Sequence, residues 1–304
     1  MNNRHLLTLR DFSAEEIHSF IDLAGVIKKY PWWYRRKLRG KTLLMLFAKP
    51  SLRTRLSFET AMLELGGHAI FYDIATSPLG KKESVEDGAR VSSLYVDAIM
   101  ARLYEHETME EFARYSSVPV INGLTNRFHP CQVLGDLLTI KEQFGHFNIK
   151  LSYIGDANNN VTHSLMVGCS KLGITMNVAC PRKKEFMPEP LIAKETGVPV
   201  VSMKEAVKDA DVIYTDTWQS YHIKDSAMKR RKKALMPFQV NRKNFNNKAY
   251  FMHCLPAQRG MEVTADIIDG ERSLVLQQAA NRKHIEKAIL LRLVKNHPSA
   301  TGGS

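Results

Sequence analysis

From Phe12 to Tyr30 the apolar residues recur at helical spacing, and Ser13 stands three residues before Glu16, the pair that forms a capping box. A helix is predicted there. "KTLLMLF" (41–47) is a short unbroken apolar run, as expected of a parallel strand buried on both faces. Phe58, Ala61, Met62 and Leu65 then fall at i, i+3, i+4 and i+7, and Gly66-Gly67 stops the helix they imply. "HAIFYD" resumes as a strand. "VDAIMAR" and "VPVING" are two more, with a helical pattern from Glu107 to Ser117 between them.

The second half repeats the rhythm. "HPCQVLGDLLTIKEQFG" (129–145) reads as a helix opening at a proline and ending at Gly145. "KLSYIGD" is a strand, "NNNVTHSLMVGCSKLG" a turn and helix, and "ITMNVACP", "DVIYTDTW" and "AYFMHCLP" are strands. "QQAANRKHIEKAILLRLVKN" is an amphipathic helix, and "SATGGS" a flexible tail. Alternating strands and helices over 304 residues predict an α/β chain of two doubly wound parallel-sheet domains joined by helices near 129–150. The expected domains are 1–140 and 141–276, with a last helix at about 277–297 packing back on the first. Ligands of such sheets bind beyond the carboxyl ends of the strands, and the polar motifs fall at those ends.

Composition narrows the partners only a little. Lys and Arg number 43 against 31 Asp and Glu, a formal charge of +12. The consecutive Lys229, Arg230, Arg231, Lys232 and Lys233 carry much of it, but no aromatic residue is interleaved for stacking on bases. A solvated face is the expectation, and nucleic acid is not the expected partner. Cys131, Cys169, Cys180 and Cys254 have no metal-ligand spacing, so reduced thiols and no bound metal are expected. The opening residues lack the apolar core of a signal peptide, and no stretch reaches the length of a membrane span. A cytoplasmic protein away from membranes is expected.

The stretch "FAKPSLRTRLSFETAM" (47–62) breaks a local rule. Arg53 and Arg55 stand in the first turn of a helix, where the macrodipole favours negative charge. Ser51 would cap that helix, and the free N–H groups, hydroxyls and guanidinium together suit a phosphate. Neither a phosphate-binding P-loop nor a dinucleotide fingerprint is present, so no cofactor is expected. In "FHPCQ", His129 and Gln132 share a helix face and could donate to a carbonyl oxygen and an amide-like group; taken alone they read better as a capping histidine and an exposed amide. "GDANNN" offers Asn160 to a carboxylate, "TDTWQSYH" offers Asp216 to an ammonium, and Cys254 in "MHCLPAQRG" reads as a packed thiol.

In order, "PSLRTRLSFETAM", "MARLYEH", "FHPCQVLGDLLTI", "GDANNNVTHS", "TDTWQSYH", "FMHCLPAQRGMEVT" and "QAANRKHIEKAIL" resemble the motif series of the aspartate/ornithine carbamoyltransferase family, over nearly the whole chain. The resemblance implies that the first domain binds carbamoyl phosphate. Ser51, the backbone of Leu52, Arg53, Thr54 and Arg102 would hold the phosphate. Thr54, Arg102 and His129 would contact the carbonyl oxygen. Gln132 and the backbone at Cys254-Leu255 would receive the carbamoyl NH2, with Arg282 beside them. Arg53, Arg102, His129 and Cys254 are the expected catalytic set. The reaction needs no enzyme nucleophile: an amine attacks, an oxyanion forms, and phosphate leaves.

The acceptor follows from the branch. "HCLP", Asn159-Asn160 and Asp216-x-Trp218-x-Ser220 resemble the ornithine type, in which Asn160, Asp216, Ser220 and Tyr221 would bind L-ornithine and citrulline would form. Tyr221-His222 replaces the usual Met-Gly, which leaves open putrescine, an acylated ornithine or aspartate. A catalytically silent anion- or nucleic-acid-binding relative is the alternative of another class. "TSPLGKKES" (76–84) is a mosaic of the two branches, in which Lys82 would enter a neighbouring subunit's site. A homotrimer is therefore expected.

Overall fold

The computed structural model describes residues 4–74, 83–219 and 225–294. The chain divides into two compact units, Met1–Leu138 with Asn281–Ser304, and Thr139–Ala280.

In the first unit α1 (Ala14–Lys29) starts from the expected capping box: Ser13 accepts from the Glu16 N–H while Glu16 accepts from the Ser13 N–H. Then follow β1 (Thr42–Phe47), α2 (Leu52–Glu64), β2 (His68–Asp73), α3 (Val85–Tyr95), β3 (Ala98–Arg102), α4 (His106–Tyr115), β4 (Val120–Leu124) and α5 (Pro130–Phe144). The strands form one parallel sheet in the order β2-β1-β3-β4. The chain leaves β1 toward one edge and returns through β3 toward the other, so the switch point lies between these two strands. β1 and β3 are accordingly almost wholly buried, whereas β2 is an exposed edge.

The second unit repeats the plan with β5 (Lys150–Ile154), α6 (Asn160–Leu172), β6 (Thr175–Ala179), α7 (Pro190–Thr196), α8 (Met203–Val207), β7 (Val212–Tyr214), α9 (Asp225–Leu235), β8 (Tyr250–Met252) and α10 (Ala265–Ile268). Its parallel order is β6-β5-β7-β8, with the switch point between β5 and β7. Helix α5 begins in the first unit and ends in the second; α11 (Val275–Val294) runs the other way. The α/β class with two doubly wound parallel sheets is thus as the sequence pattern predicts.

Two elements differ from expectation. The helix placed at 107–117 is α4, which ends at Tyr115 because Ser116 turns extended and bonds its hydroxyl to the Val118 carbonyl. The last helix is not amphipathic in the simple sense. Arg282, Glu286 and Lys287 lie inside, each with a partner of opposite charge. Hydropathy alone placed these groups outside, and pairing is what lets them in.

Helix α2 ends where the pattern says. Gly66 adopts φ +84°, and a Cβ there would meet the Arg35 carbonyl oxygen at 2.6 Å. Gly66→Ala should therefore lower stability by more than about 1 kcal/mol. Equilibrium denaturation tests this, and an unchanged midpoint would contradict it.

Candidate active site

The first unit gathers cationic and hydroxyl side chains at the β1/β3 switch point. Ser51 is the N-cap of α2 and accepts from the Thr54 N–H at 3.4 Å; its hydroxyl also donates to Thr54 Oγ1 at 3.2 Å. Arg102, the last residue of β3, is buried and donates from Nη1 to Thr54 Oγ1 at 3.4 Å. The two arginines of the opening motif have separate fates. Arg55 pairs with Glu59 at 2.9 Å and lies 3.9 Å over the Phe71 ring, which accounts for it as a surface residue. Arg53, half-buried, has no ion pair among the described residues. Leu52 is 70% exposed, so its backbone rather than its side chain is what the turn can offer.

His129 and Gln132 enter from the start of α5. The N–H groups of Gln132 and Val133 both point to the His129 carbonyl. Burial, then the guanidinium groups of Arg282 and Arg102, hold the His129 imidazole well below its ordinary value, so it stays neutral. Gln132 is fixed at both ends of its amide: Nε2 donates to Asp136 at 2.8 Å, and Oε1 accepts from Arg282 Nη1 at 2.7 Å. Arg282 also donates to Glu286 at 2.8 Å. Burial pushes the Glu286 carboxyl up to about 7 against the pull of Arg282. Asp136 and Glu286 were missed by sequence reading, although Glu286 stands one helical turn beyond Arg282. Lys49 was missed too. Buried over the Tyr104 ring at 4.1 Å, it is held down to about 8 by desolvation and by Arg102.

The second unit places its motifs at the β5/β7 switch point. Gly155 follows β5 at φ +130°, bringing its backbone against Thr215 and Trp218, where a Cβ would lie 3.1 Å from Thr215 Oγ1. The adjacent asparagines divide the work. Asn159 caps α6 through Oδ1 and bonds Tyr153 and the Asp156 carbonyl through Nδ2, while Asn160 is half-buried in the first turn of the helix. Asp216 follows β7 and accepts from the Thr217 N–H at 2.7 Å and from the Cys254 thiol at 3.0 Å. The Cys254 thiol is therefore held by the Asp216 carboxylate rather than packed alone. Leu255 sits at φ +57°, a conformation non-glycine residues rarely adopt, and its N–H donates to His253 Nδ1 at 2.9 Å.

Asp216, His253 and Cys254 bring three metal-type donors together. The histidine argues against an ion. Its Nδ1 lone pair already accepts from Leu255, and Nε2 faces Glu262 at 3.4 Å. Lys82, Ser220 and Tyr221, all singled out in the sequence, lie outside the described residues.

The basic run at 229–233 is not uniformly solvated as expected. Arg231, on α9, is buried: it donates to Asp156 Oδ2 and lies 4.7 Å over the Phe186 ring. The other four point outward or lie at the surface. A run of like residues hides such a difference, because helical phase and not composition decides which one turns in.

Residues 4–142 match the family model "Aspartate/ornithine carbamoyltransferase, carbamoyl-P binding domain", and residues 147–293 match the "Asp/Orn binding domain" of the same family. The chain is 47% identical to the anabolic ornithine carbamoyltransferase of Pyrococcus furiosus over 306 residues, covering 94% of this chain and 95% of that one. It is 46% identical to the ornithine carbamoyltransferase of Bacillus subtilis, covering 94% and 92%. Its fold superposes on the solved P. furiosus enzyme with a TM-score of 0.90 at 45% identity, covering 97% and 98%.

Burial pushes Asp156 up to about 7, and Arg231 with the Asn158 N–H pulls the other way. Arg231→Met should leave that carboxyl without its cation and cost about 3–5 kcal/mol. Adding Asp156→Asn should recover much of the loss. A denaturation double-mutant cycle measures this, and additive losses would show that the two do not interact.

Proposed function

The chain belongs to the aspartate/ornithine carbamoyltransferase family and is a transferase, and from that premise we propose that it carries the carbamoyl group of carbamoyl phosphate to the side-chain amine of L-ornithine, giving L-citrulline and phosphate. The observation that carries the reading is Arg53: a half-buried cation with no ion pair among the described residues, at a helix N-terminus beside the Arg102–Thr54 contact. Such a group calls for an anion, and the phosphate dianion is the one the family supplies.

Ser51, the Leu52 and Arg53 N–H groups, Arg53, Thr54 and Arg102 hold the phosphate, and Lys49 adds charge behind them. The carbonyl oxygen is met by Arg102, Thr54 and His129. A neutral His129 serves as a donor that does not lose its proton to solvent as pH changes near 7. Gln132, its amide fixed by Asp136 and Arg282, accepts from the carbamoyl NH2. In the second unit Asn160 takes the α-carboxylate of ornithine and Asp216 its α-ammonium, with Cys254 and Leu255 at the reacting amine. The amine attacks as the free base, negative charge gathers on the carbonyl oxygen, and the phosphate departs with both electrons of the broken C–O bond and takes up the proton that the attacking nitrogen gives up. The protein's work is positioning and electrostatic stabilisation of that oxyanion.

The anabolic relatives support a role in arginine biosynthesis. Trimeric assembly fits the apolar side chains exposed in the first unit, Leu52, Leu56, Ile70 and Tyr72 on α2 and β2, which a partner subunit would cover. A cytoplasmic location is consistent with the described residues, among which no helix is long and apolar enough to cross a membrane.

Purified protein given carbamoyl phosphate with ornithine, aspartate, putrescine or N-acetylornithine should form citrulline from ornithine and little from the rest. Arg53→Ala or Arg102→Ala should lower turnover by at least about 10²-fold. A change below about threefold in either variant would remove it from the site. Lys49 loses its charge as pH rises through about 8, whereas a phosphate's second proton is already gone by pH 7. Carbamoyl phosphate affinity should therefore fall above pH 8, and Lys49→Met should flatten that fall; calorimetric titration across pH 6.5 to 9.5 (a window of about 1.5 pH units either side of 8) decides it.

A further inference from the structure

The segment Pro31-Trp32-Trp33-Tyr34-Arg35-Arg36-Lys37, just after α1, takes no part in the chemistry above. With the end of α2 and one face of α11 it walls a cavity of about 1230 Å³, all within the first unit.

The lining combines two features. Trp32 and Trp33 are 60% and 61% exposed, and Trp33 is held by stacking on Tyr30 at 4.7 Å with the planes 13° apart. Rings of that size left at a surface mark a contact site more often than an accident. Around them stand six cations, Lys28, Arg35, Arg36, Lys37, Lys283 and Lys287, against one carboxylate, Glu64. Glu64 is already shared by Lys283 and Lys287. Arg35, Arg36 and Lys37 have no ion pair among the described residues. His284 registers the resulting field: desolvation and then Lys287, Lys283 and Lys28 hold it down to about 4, and its buried Nδ1 has no hydrogen-bond partner.

Six cations around a recess with a single carboxylate, three of them (Arg35, Arg36 and Lys37) without an ion pair among the described residues, and beside rigid indoles, suit an anion attached to a planar ring. A second copy of the chain offering the same face would bring like charges together. A flat membrane surface would not fill a recess of about 1230 Å³. The volume accommodates a ligand of mononucleotide size. We propose that this cavity binds a nucleoside phosphate, its base against the tryptophans and its phosphates among Arg35, Arg36 and the lysines of α11. The location has a consequence. Glu64 ends the helix that Ser51 caps, and Lys283 follows Arg282 directly, so an occupant touches both helices that build the anion pocket.

The test is titration of the full-length protein with ADP, followed by tryptophan fluorescence and by the imidazole NMR signal of His284. ADP should quench the fluorescence and raise the pKa of His284, because added phosphate offsets the lysines. Trp33→Ala and Arg36→Ala, both at exposed positions, should each weaken binding by at least about fivefold. Arg53→Ala should leave it intact, which separates this cavity from the anion pocket. The proposal is overturned if ADP in the millimolar range neither quenches nor shifts His284, or if Arg53→Ala abolishes binding while Trp33→Ala does not. It is equally overturned if inorganic phosphate, or vesicles containing phosphatidylserine, bind there as tightly as ADP.

Discussion

Holding positive charge together at one end of a parallel sheet is the constraint on which the first unit depends. Arg53, Arg102 and Arg282 are brought into or beside one pocket with a helix N-terminus, and like charges so arranged repel until an anion arrives. The unit meets this cost selectively. Arg282 is given Glu286 and Gln132, so its charge is fixed and partly cancelled. Arg55, two residues beyond Arg53, is given Glu59 and the face of Phe71. Lys49 responds in another way, with a proton held weakly enough to leave near pH 8. Arg53 alone of the motif's arginines is left without a carboxylate among the described residues. A fold selected only for stability would have paired it.

The same constraint explains the buried face of α11. A charged helix end laid against a core is costly unless every charge finds a partner. Here the partners are supplied along the helix and from α2: Glu286 for Arg282 at i+4, and Glu64 for Lys283 and Lys287. Glu286, pushed up to about 7, shows how near to neutral even a paired carboxyl becomes at this depth. The helix therefore reads as amphipathic in sequence while being largely interior in the fold.

The sheets were legible because parallel strands are short unbroken apolar runs and their helices carry a clear 3.6-residue period; "KTLLMLF" and the Phe58–Leu65 spacing needed nothing else. The site was legible in a different way. Ser51-Leu52-Arg53-Thr54-Arg55 stood out because it contradicts helix electrostatics, whereas His129, Gln132, Asn160 and Asp216 each had an ordinary reading and gained meaning only from the order of the motifs. Lys49, Asp136 and Glu286 could not be found so. Lys49 faces Arg102 and Tyr104 more than fifty residues on, which spacing does not record, whereas Asp136 and Glu286 stand four residues from Gln132 and Arg282, a spacing that any helix offers many times over and that marks nothing until burial is known. The resolution of Asn159 from Asn160, and of Arg53 from Arg55, belongs to the same class, since neighbours of identical type differ only in where the backbone aims them.

Arg231 carries that argument furthest. Composition presents five equivalent cations, and the usual inference from such a run is solvation or an anionic polymer. One of the five instead turns inward to a carboxylate at the end of β5, over an aromatic ring, while Trp218 packs with Phe186 and Leu235 nearby. The contact ties α9 to the strand ends that carry Asp156 and, through Trp218, to the segment that carries Asp216. An ion pair this deep is weak support for stability, because desolvation offsets the attraction. Its directional demand is what matters: a buried guanidinium that must meet a carboxylate and a ring fixes the rotation of its helix more tightly than apolar packing does. The second unit thereby fixes the loops that carry Asp156 and Asp216 with a charge that, read from the sequence, looked like part of the surface.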